Sequence, residues 1–162
     1  MERSGEQGST PGSDHQALFT GKHERALDDK WRLVLPTSFR RPFEDGGGRL
    51  APGDRCLALF TDEEFKGVMQ RMVEKSRSEE ADDDMVDAVR VFTGLTVPVQ
   101  LDGQGRFVIG EEHRTYAGLG RDVLVAGQND RVEIWDAASY RALEQRLPAA
   151  DTSATLRRMK VF

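Results

Sequence analysis

The chain has 162 residues, 38% of them apolar and 31% charged, and 23 Lys and Arg against 28 Asp and Glu give it a formal charge of −5. This composition fits a soluble globular chain of one domain or two small ones. It excludes a membrane helix of about 20 apolar residues. The first residues lack the apolar core of a secretory signal, and a lone Cys56 allows neither an intrachain disulfide nor a Cys-x-x-Cys motif, so a cytoplasmic protein is expected. The acidic balance weighs against an unspecific polyanion binder but leaves room for a local basic face.

In chain order, residues 1–18 are rich in Gly, Ser, Glu and Pro and predict a flexible arm. Asp28 and Asp29 form a turn signal before a strand at Arg32 to Leu35, which Pro36 ends, and a short helix follows from Thr37 to Arg41. Gly46-Gly47-Gly48 lacks the Lys-Ser/Thr of a phosphate loop and predicts a flexible turn, with Arg49 to Asp54 as a longer connection. Arg55 to Phe60 predicts a strand. Glu63 to Arg77 carries Phe65, Val68, Met69, Met72 and Val73 at helical spacing. The acidic run Glu79 to Asp84 has no calcium-loop spacing and predicts a solvated linker, followed by a helix from Met85 to Phe92. Strands are expected again at Arg106 to Ile109, Asp122 to Gly127 and Arg131 to Trp135, the last two joined by a hairpin at Gln128-Asn129-Asp130. Helices are expected at Glu111 to Ala117 and Ala137 to Leu147, before a tail with the basic stretch Arg157-Arg158-Met159-Lys160.

Two of these stretches repeat each other. Asp28 to Arg40 aligns without gaps on Asp102 to Arg114, with Asp28/Asp102, Arg32/Arg106, Val34/Val108 and Arg40/Arg114 identical. Asp54 to Phe65 then resembles Asp130 to Tyr140, with one residue inserted between the copies. Two ordered matches predict two copies of one βαββ-like unit sharing a sheet-based core. The boundaries expected are an arm at 1–18, a first half at 19–78, an acidic linker and helix at 79–97, a second half at 98–147 and a tail at 148–162.

The repeated Asp-x-x-x-Arg pairs carry the candidate site. An aspartate opening a tight turn can accept backbone N–H groups, and the following arginine can reach back to it or outward to a phosphate. Between Lys22 and Phe43 six cations (Lys22, Arg25, Lys30, Arg32, Arg40, Arg41) face three acids, whereas Asp102 to Arg121 is balanced, so the first copy is the better anion-binding candidate. Trp31 stands where the second copy has Gly105. Glycine tolerates a left-handed backbone and tryptophan resists it, so either the first loop has another shape or the indole serves packing, a subunit interface or a nucleic-acid contact. No catalytic constellation is visible: His15, His23 and His113 are scattered, and Cys56 lies in a β-like run as an inert thiol. No cofactor or metal is expected.

At Asp28, Lys30, Arg32, Pro36 and Arg40, and again at Asp102, Gly105, Arg106 and Arg114, the sequence resembles the MraZ family of bacterial transcriptional regulators of the division and cell-wall gene cluster, within the wider AbrB-like swapped-hairpin group. The resemblance runs through Asp54-Arg55-Cys56-Leu57 and Tyr116-Ala117-Gly118-Leu119 to Glu133-Ile134-Trp135-Asp136, and covers Phe19 to Leu147. It implies an α+β fold, tandem AbrB-like halves forming a pseudo-two-fold β-barrel core with short helices. It also implies assembly into a closed homo-oligomeric ring and binding of double-stranded promoter DNA in the nucleoid through the Asp-x-x-x-Arg face, with no catalysis. Transferred to these positions, the DNA-binding residues are Lys30, Arg32, Arg40 and Arg106, to which the basic first segment adds Arg25; Asp28, Asp102 and Gly105 shape the turns, and Trp31, read from its own chemistry, is an interface or DNA contact. Trp31 replaces the family glycine, Gln104 the lysine and Gly110 the proline. With the charge of −5, Trp31 also opens a second reading, a paralogue that acts as a protein-interaction module beside another MraZ-like regulator or transcription factor.

Overall fold

The computed structural model describes residues 18–161, so the arm expected at 1–18 lies outside the described residues apart from Leu18. The first copy runs β1 (Lys22–Ala26), β2 (Arg32–Val34), α1 (Thr37–Glu44), β3 (Gly48–Pro52), β4 (Leu57–Thr61), α2 (Asp62–Ser76) and α3 (Asp83–Leu95). The second repeats the order with β5 (Val97–Val99), β6 (Arg106–Val108), α4 (Glu111–Ala117), β7 (Asp122–Gln128), β8 (Arg131–Asp136), α5 (Ala137–Arg146) and α6 (Ala149–Met159).

The strands form a six-stranded sheet in the order β1-β7-β8-β4-β3-β5 and a separate two-stranded ribbon, β2-β6, all paired antiparallel. The order reads the same when the copies are exchanged, so a pseudo-two-fold axis relates them. Each copy lends its first strand to the other: β1 pairs with β7 and β5 with β3. The axis passes through the Leu33↔Phe107 pair of the ribbon and the Ala58↔Glu133 pair of the sheet.

Strand alternation decides what is buried. Leu33 and Phe107 turn inward from the ribbon and join Leu35, Phe39, Phe43, Leu57, Leu59, Ile109, Val123, Val125, Val132 and Ile134 in one core. The opposite sheet face is covered in two patches. Cys56, Leu124, Ala126 and Trp135 lie under Tyr140 and Leu143 of α5, and Ala51, Ala58 and Phe60 lie under Phe65 and Val68 of α2 and Phe92 of α3. Matching caps open α2 and α5, where the Thr61 hydroxyl accepts from the Glu64 amide and the Asp136 carboxylate from the Ser139 amide.

Within residues 46–54, expected as a flexible turn and a long connection, Gly48–Pro52 form strand β3, with β4 on one side and β5 on the other, which leaves a turn at 45–46 and a bend from 54. Glycine here serves close approach: a Cβ on Gly48 would lie 2.5 Å from the Phe60 carbonyl oxygen, and one on Gly47, at φ +63°, only 2.2 Å from that of Val99. Helix α1 extends past Arg41 to Glu44 through Pro42 and so buries Phe43. Residues 148–162, expected as a tail, contain helix α6.

Candidate nucleic-acid interface

The two Asp-x-x-x-Arg turns adopt one construction. Asp28 Oδ1 accepts the backbone N–H groups of Lys30 and Arg32, both at 2.9 Å, while Arg32 Nε donates to Asp28 Oδ2 at 2.6 Å. Asp102 Oδ1 accepts from Gln104 and Arg106, both at 2.9 Å, and Arg106 Nε donates to Asp102 Oδ2 at 2.8 Å. Both carboxyls are held below the usual carboxylate range, first by the amide of the arginine four residues on, then by its side chain and the intervening amide, against a smaller desolvation cost. Each arginine thus reaches back through Nε, which fixes the rotamer and leaves the outer guanidinium nitrogens for a ligand.

The ribbon brings the turns together. Arg32 lies opposite Val108 and Arg106 opposite Val34, so all four side chains share the face turned away from the core. This register makes the two arginines diagonal neighbours, a relation that typically sets residues about 7–8 Å apart, with the Cβ atoms somewhat closer. Each turn is also sewn to the other copy: the Leu35 amide donates to the Gly105 carbonyl and the Ile109 amide to the Trp31 carbonyl, both at 2.9 Å. Arg40 Nε donates to the Leu35 carbonyl at 2.7 Å, and its counterpart Arg114 donates from Nη1 to the Ile109 carbonyl at 2.6 Å.

Trp31 does not give the first loop another shape. It takes the left-handed backbone of its glycine counterpart, φ +59° against +74° at Gly105. What differs is the side chain. The Trp31 ring packs against the core and carries the guanidiniums of Arg114 and Arg121 at 4.1 and 4.4 Å from its centroid. At the other turn a Cβ on Gly105 would come within 2.4 Å of Arg40 Nε, so Arg40 fills the space that the indole's root would need.

The structure places Lys30, Arg32, Arg40 and Arg106 at these turns, with Arg40 lining a small cavity beside Asp102, Gly105 and Glu44. Arg25 is not gathered with them: it donates to the Glu24 carbonyl from β1 and lines a different depression with Asp122 and Arg141. Two further arginines come to the first turn from the second copy. Arg114 was legible as the partner of Arg40 in the repeat; Arg121, which donates to the Asp28 carbonyl at 3.0 Å, is distant in sequence and carries no local signal. The first turn therefore gathers Lys30, Arg32, Arg114 and Arg121 against Asp28 and Asp29, and the second Arg40 and Arg106 against Asp102 and Glu44.

The other chemical candidates are occupied. Cys56 is fully buried, and burial first, then the Glu133 carboxylate, pushes its thiol pKa up to about 12. His113 is buried with Nε2 2.6 Å from the Leu95 carbonyl. Among the described residues no group of three His, Cys, Asp or Glu side chains could hold a metal ion, and no helix is long and apolar enough to cross a membrane.

Comparison with known proteins matches the same two units. A family model described as MraZ protein fits the chain twice, over residues 18–88 and 92–162. The chain is 40% identical over 123 residues to the Transcriptional regulator MraZ of Clavibacter michiganensis subsp. michiganensis, covering 76% of this chain and 84% of that protein. It is 38% identical over 133 residues to that of Kocuria rhizophila, at 82% and 91% coverage, and 36% identical over 138 residues to that of Corynebacterium diphtheriae, at 85% and 94%.

Proposed function

Because the chain belongs to the MraZ family, we propose that it is a transcriptional regulator that binds duplex DNA through the outer face of the β2-β6 ribbon and its two Asp-Arg turns. The observation that carries this reading is the symmetric pair of arginines, each tethered by its aspartate and aimed from the same exposed face. A two-stranded ribbon fits the major groove, where an arginine can bond O6 and N7 of guanine and a valine can touch a thymine methyl. As diagonal neighbours typically about 7–8 Å apart, Arg32 and Arg106 span about two base-pair steps of roughly 3.4 Å. Lys30 and Arg40 supply phosphate contacts, which set position rather than sequence. Val34 and Val108, exposed beside the arginines, offer the apolar contact for such a methyl group.

The same proposal includes self-association into a closed ring. An apolar groove of about 430 Å³ lined by Pro52, Met72, Val89, Val91, Phe92 and Tyr116 lies on the α2-α3 side, away from the ribbon. A ring joined there would present several ribbons to successive DNA repeats, and linked sites bind more tightly than one site alone. A mass in light scattering that is a multiple of 18.1 kDa supports this assembly, and a monomer at micromolar concentration contradicts it.

The test is fluorescence anisotropy with a labelled duplex enriched by the unaltered chain from a random double-stranded pool. Arg32→Ala and Arg106→Ala should each weaken binding about tenfold or more, the scale of losing one bidentate base contact, with the oligomer unchanged. Wild-type affinity in both variants would sink the assignment.

A further inference from the structure

The pseudo-two-fold symmetry of the DNA face is broken at one place, and by two residues at once. Equivalent register across the sheet pairs Gly48 with Val123 and Leu50 with Val125, so Arg121, two residues before Val123, has Gly46 as its counterpart. Trp31 has Gly105. One end of the ribbon therefore has both the indole and the arginine that rests on it, and the other end has two glycines. A Cβ on Gly46 would meet nothing within 4 Å, so no side chain takes the place of Arg121 there, while Arg40 occupies the space beside Gly105.

From this coupled asymmetry, and resting on the DNA-binding reading above, we infer that Trp31 is a positioning residue that holds Arg121, together with Arg114, as an additional phosphate contact at the first turn, making that turn the anchoring half of the DNA site. A tryptophan held at φ +59° is a strained choice where glycine suffices, and such strain persists at sites where the surroundings require it. Packing alone does not account for the partner. The Arg121 side chain is 52% exposed, and only its backbone, whose carbonyl accepts from the Leu27 amide at 2.8 Å, is pinned by the sheet. An exposed arginine would sample many rotamers; the indole face and the Asp28 carbonyl restrict it to one beside Lys30 and Arg32. A stacked guanidinium keeps its in-plane N–H groups, and because the bond to the Asp28 carbonyl and the 4.0 Å pairing with Asp29 both use Nη1, Nη2 and Nε keep donors for a phosphate oxygen. Arg114 bonds the Ile109 carbonyl from one nitrogen and adds its charge to the same spot. The second turn offers only Arg40 and Arg106 beside two acids. A DNA site bound in this way is contacted unequally by its two halves.

The experiment is a double-mutant cycle in the full chain, with Trp31→Gly, Arg121→Ala and both together, read by anisotropy with the enriched duplex across a salt series. Thermal unfolding runs in parallel, and Arg32→Ala serves as the control for the DNA-binding reading. Arg121→Ala should weaken binding five- to tenfold and lower the slope of log affinity against log salt by about one. Trp31→Gly should reproduce that loss, the double variant should lose little more, and Trp31→Phe should recover most of the affinity. Wild-type affinity and slope in Trp31→Gly, or independent losses that multiply in the double variant, would overturn the inference while leaving the function in place if Arg32→Ala still loses binding. If Trp31→Gly fails to fold, Arg121→Ala decides alone, and an unchanged slope overturns the inference. No binding by the unaltered chain overturns both.

Discussion

Gly105 and Trp31 occupy equivalent places, and the energetics of replacing them run in opposite directions. At Gly105 the left-handed backbone and the Arg40 guanidinium both exclude a side chain, so Gly105→Ala should cost about 1–3 kcal/mol and lower the thermal midpoint by several degrees, at about 2–4 °C per kcal/mol for a chain of this size. A midpoint unchanged by that substitution would show that Arg40 moves aside freely. At Trp31 glycine would relieve about 1–2 kcal/mol of left-handed strain but would remove an aromatic ring that two guanidiniums use. The sequence marked Trp31 as the odd residue of the repeat, yet neither the retained loop shape nor the arginine partners followed from it, because Arg114 and Arg121 arrive from the other copy. Cys56 is buried as expected of an inert thiol, although it sits in the bend before β4 and not in the strand. Its thiol stays protonated at neutral pH because burial and Glu133 disfavour the thiolate, so a maleimide should label it at pH 7.5 only when the protein is unfolded. Fast labelling of the native chain would contradict that burial.

At the scale of elements, the turns depend on charged aspartates. Both carboxyls titrate lower in the folded protein than in the unfolded chain, so the stability they contribute is complete above the ordinary carboxylate pKa of about 3.9 and is lost as pH falls through the lowered folded values. Amide protection at Lys30, Arg32, Gln104 and Arg106, taken as exchange relative to the intrinsic rate at each pH, should hold at pH 5 and fall on acidification, ahead of protection at core positions such as Leu59 and Ile134. Simultaneous loss at turns and core would mean that the turns have no separate acid lability. The caps give a local test as well: Thr61→Ala should cost about 1 kcal/mol by freeing the Glu64 amide. Which elements were legible follows their chemistry. α2, α4 and α5 announced themselves by helical spacing and acidic or capping first turns, and β2 and β6 by short apolar runs after an aspartate. β1 and β5 did not. Each is an outer strand, one carrying Lys22, Glu24 and Arg25 and the other Pro98, with little apolar alternation to read. β3 was hidden by the run Gly46-Gly47-Gly48, which looks like a flexible turn although Gly47 and Gly48 permit close approach at the start of the strand.

For the whole molecule, the exchange of first strands makes the copies mutually dependent. β1, β5 and the ribbon pair only across the copy boundary, and Leu33 and Phe107 are buried against each other's strands. A fragment ending after α3 should therefore be unfolded or should dimerise through its own β1 and β2, and co-expression with the remainder should restore one folded complex. A folded monomeric first half would refute the exchanged topology. The repeat was visible as matched Asp-x-x-x-Arg stretches, whereas exchange was implied only by the resemblance to the swapped-hairpin group, because short polar strands carry no record of which partner they pair with. The charge of −5 likewise concealed the arrangement. Acids in α2, α3 and the linker between them outweigh a cationic first turn whose arginines come from both copies.

If tethered arginines on an exchanged two-stranded ribbon bind duplex DNA, the decisive measurement is the salt-dependent affinity of the Arg32→Ala, Arg106→Ala double variant for the enriched duplex. Binding should fall at least a hundredfold and the salt slope should shrink, with the oligomer and thermal midpoint preserved. A double variant that folds and binds the duplex as tightly as the unaltered chain would contradict that binding mode.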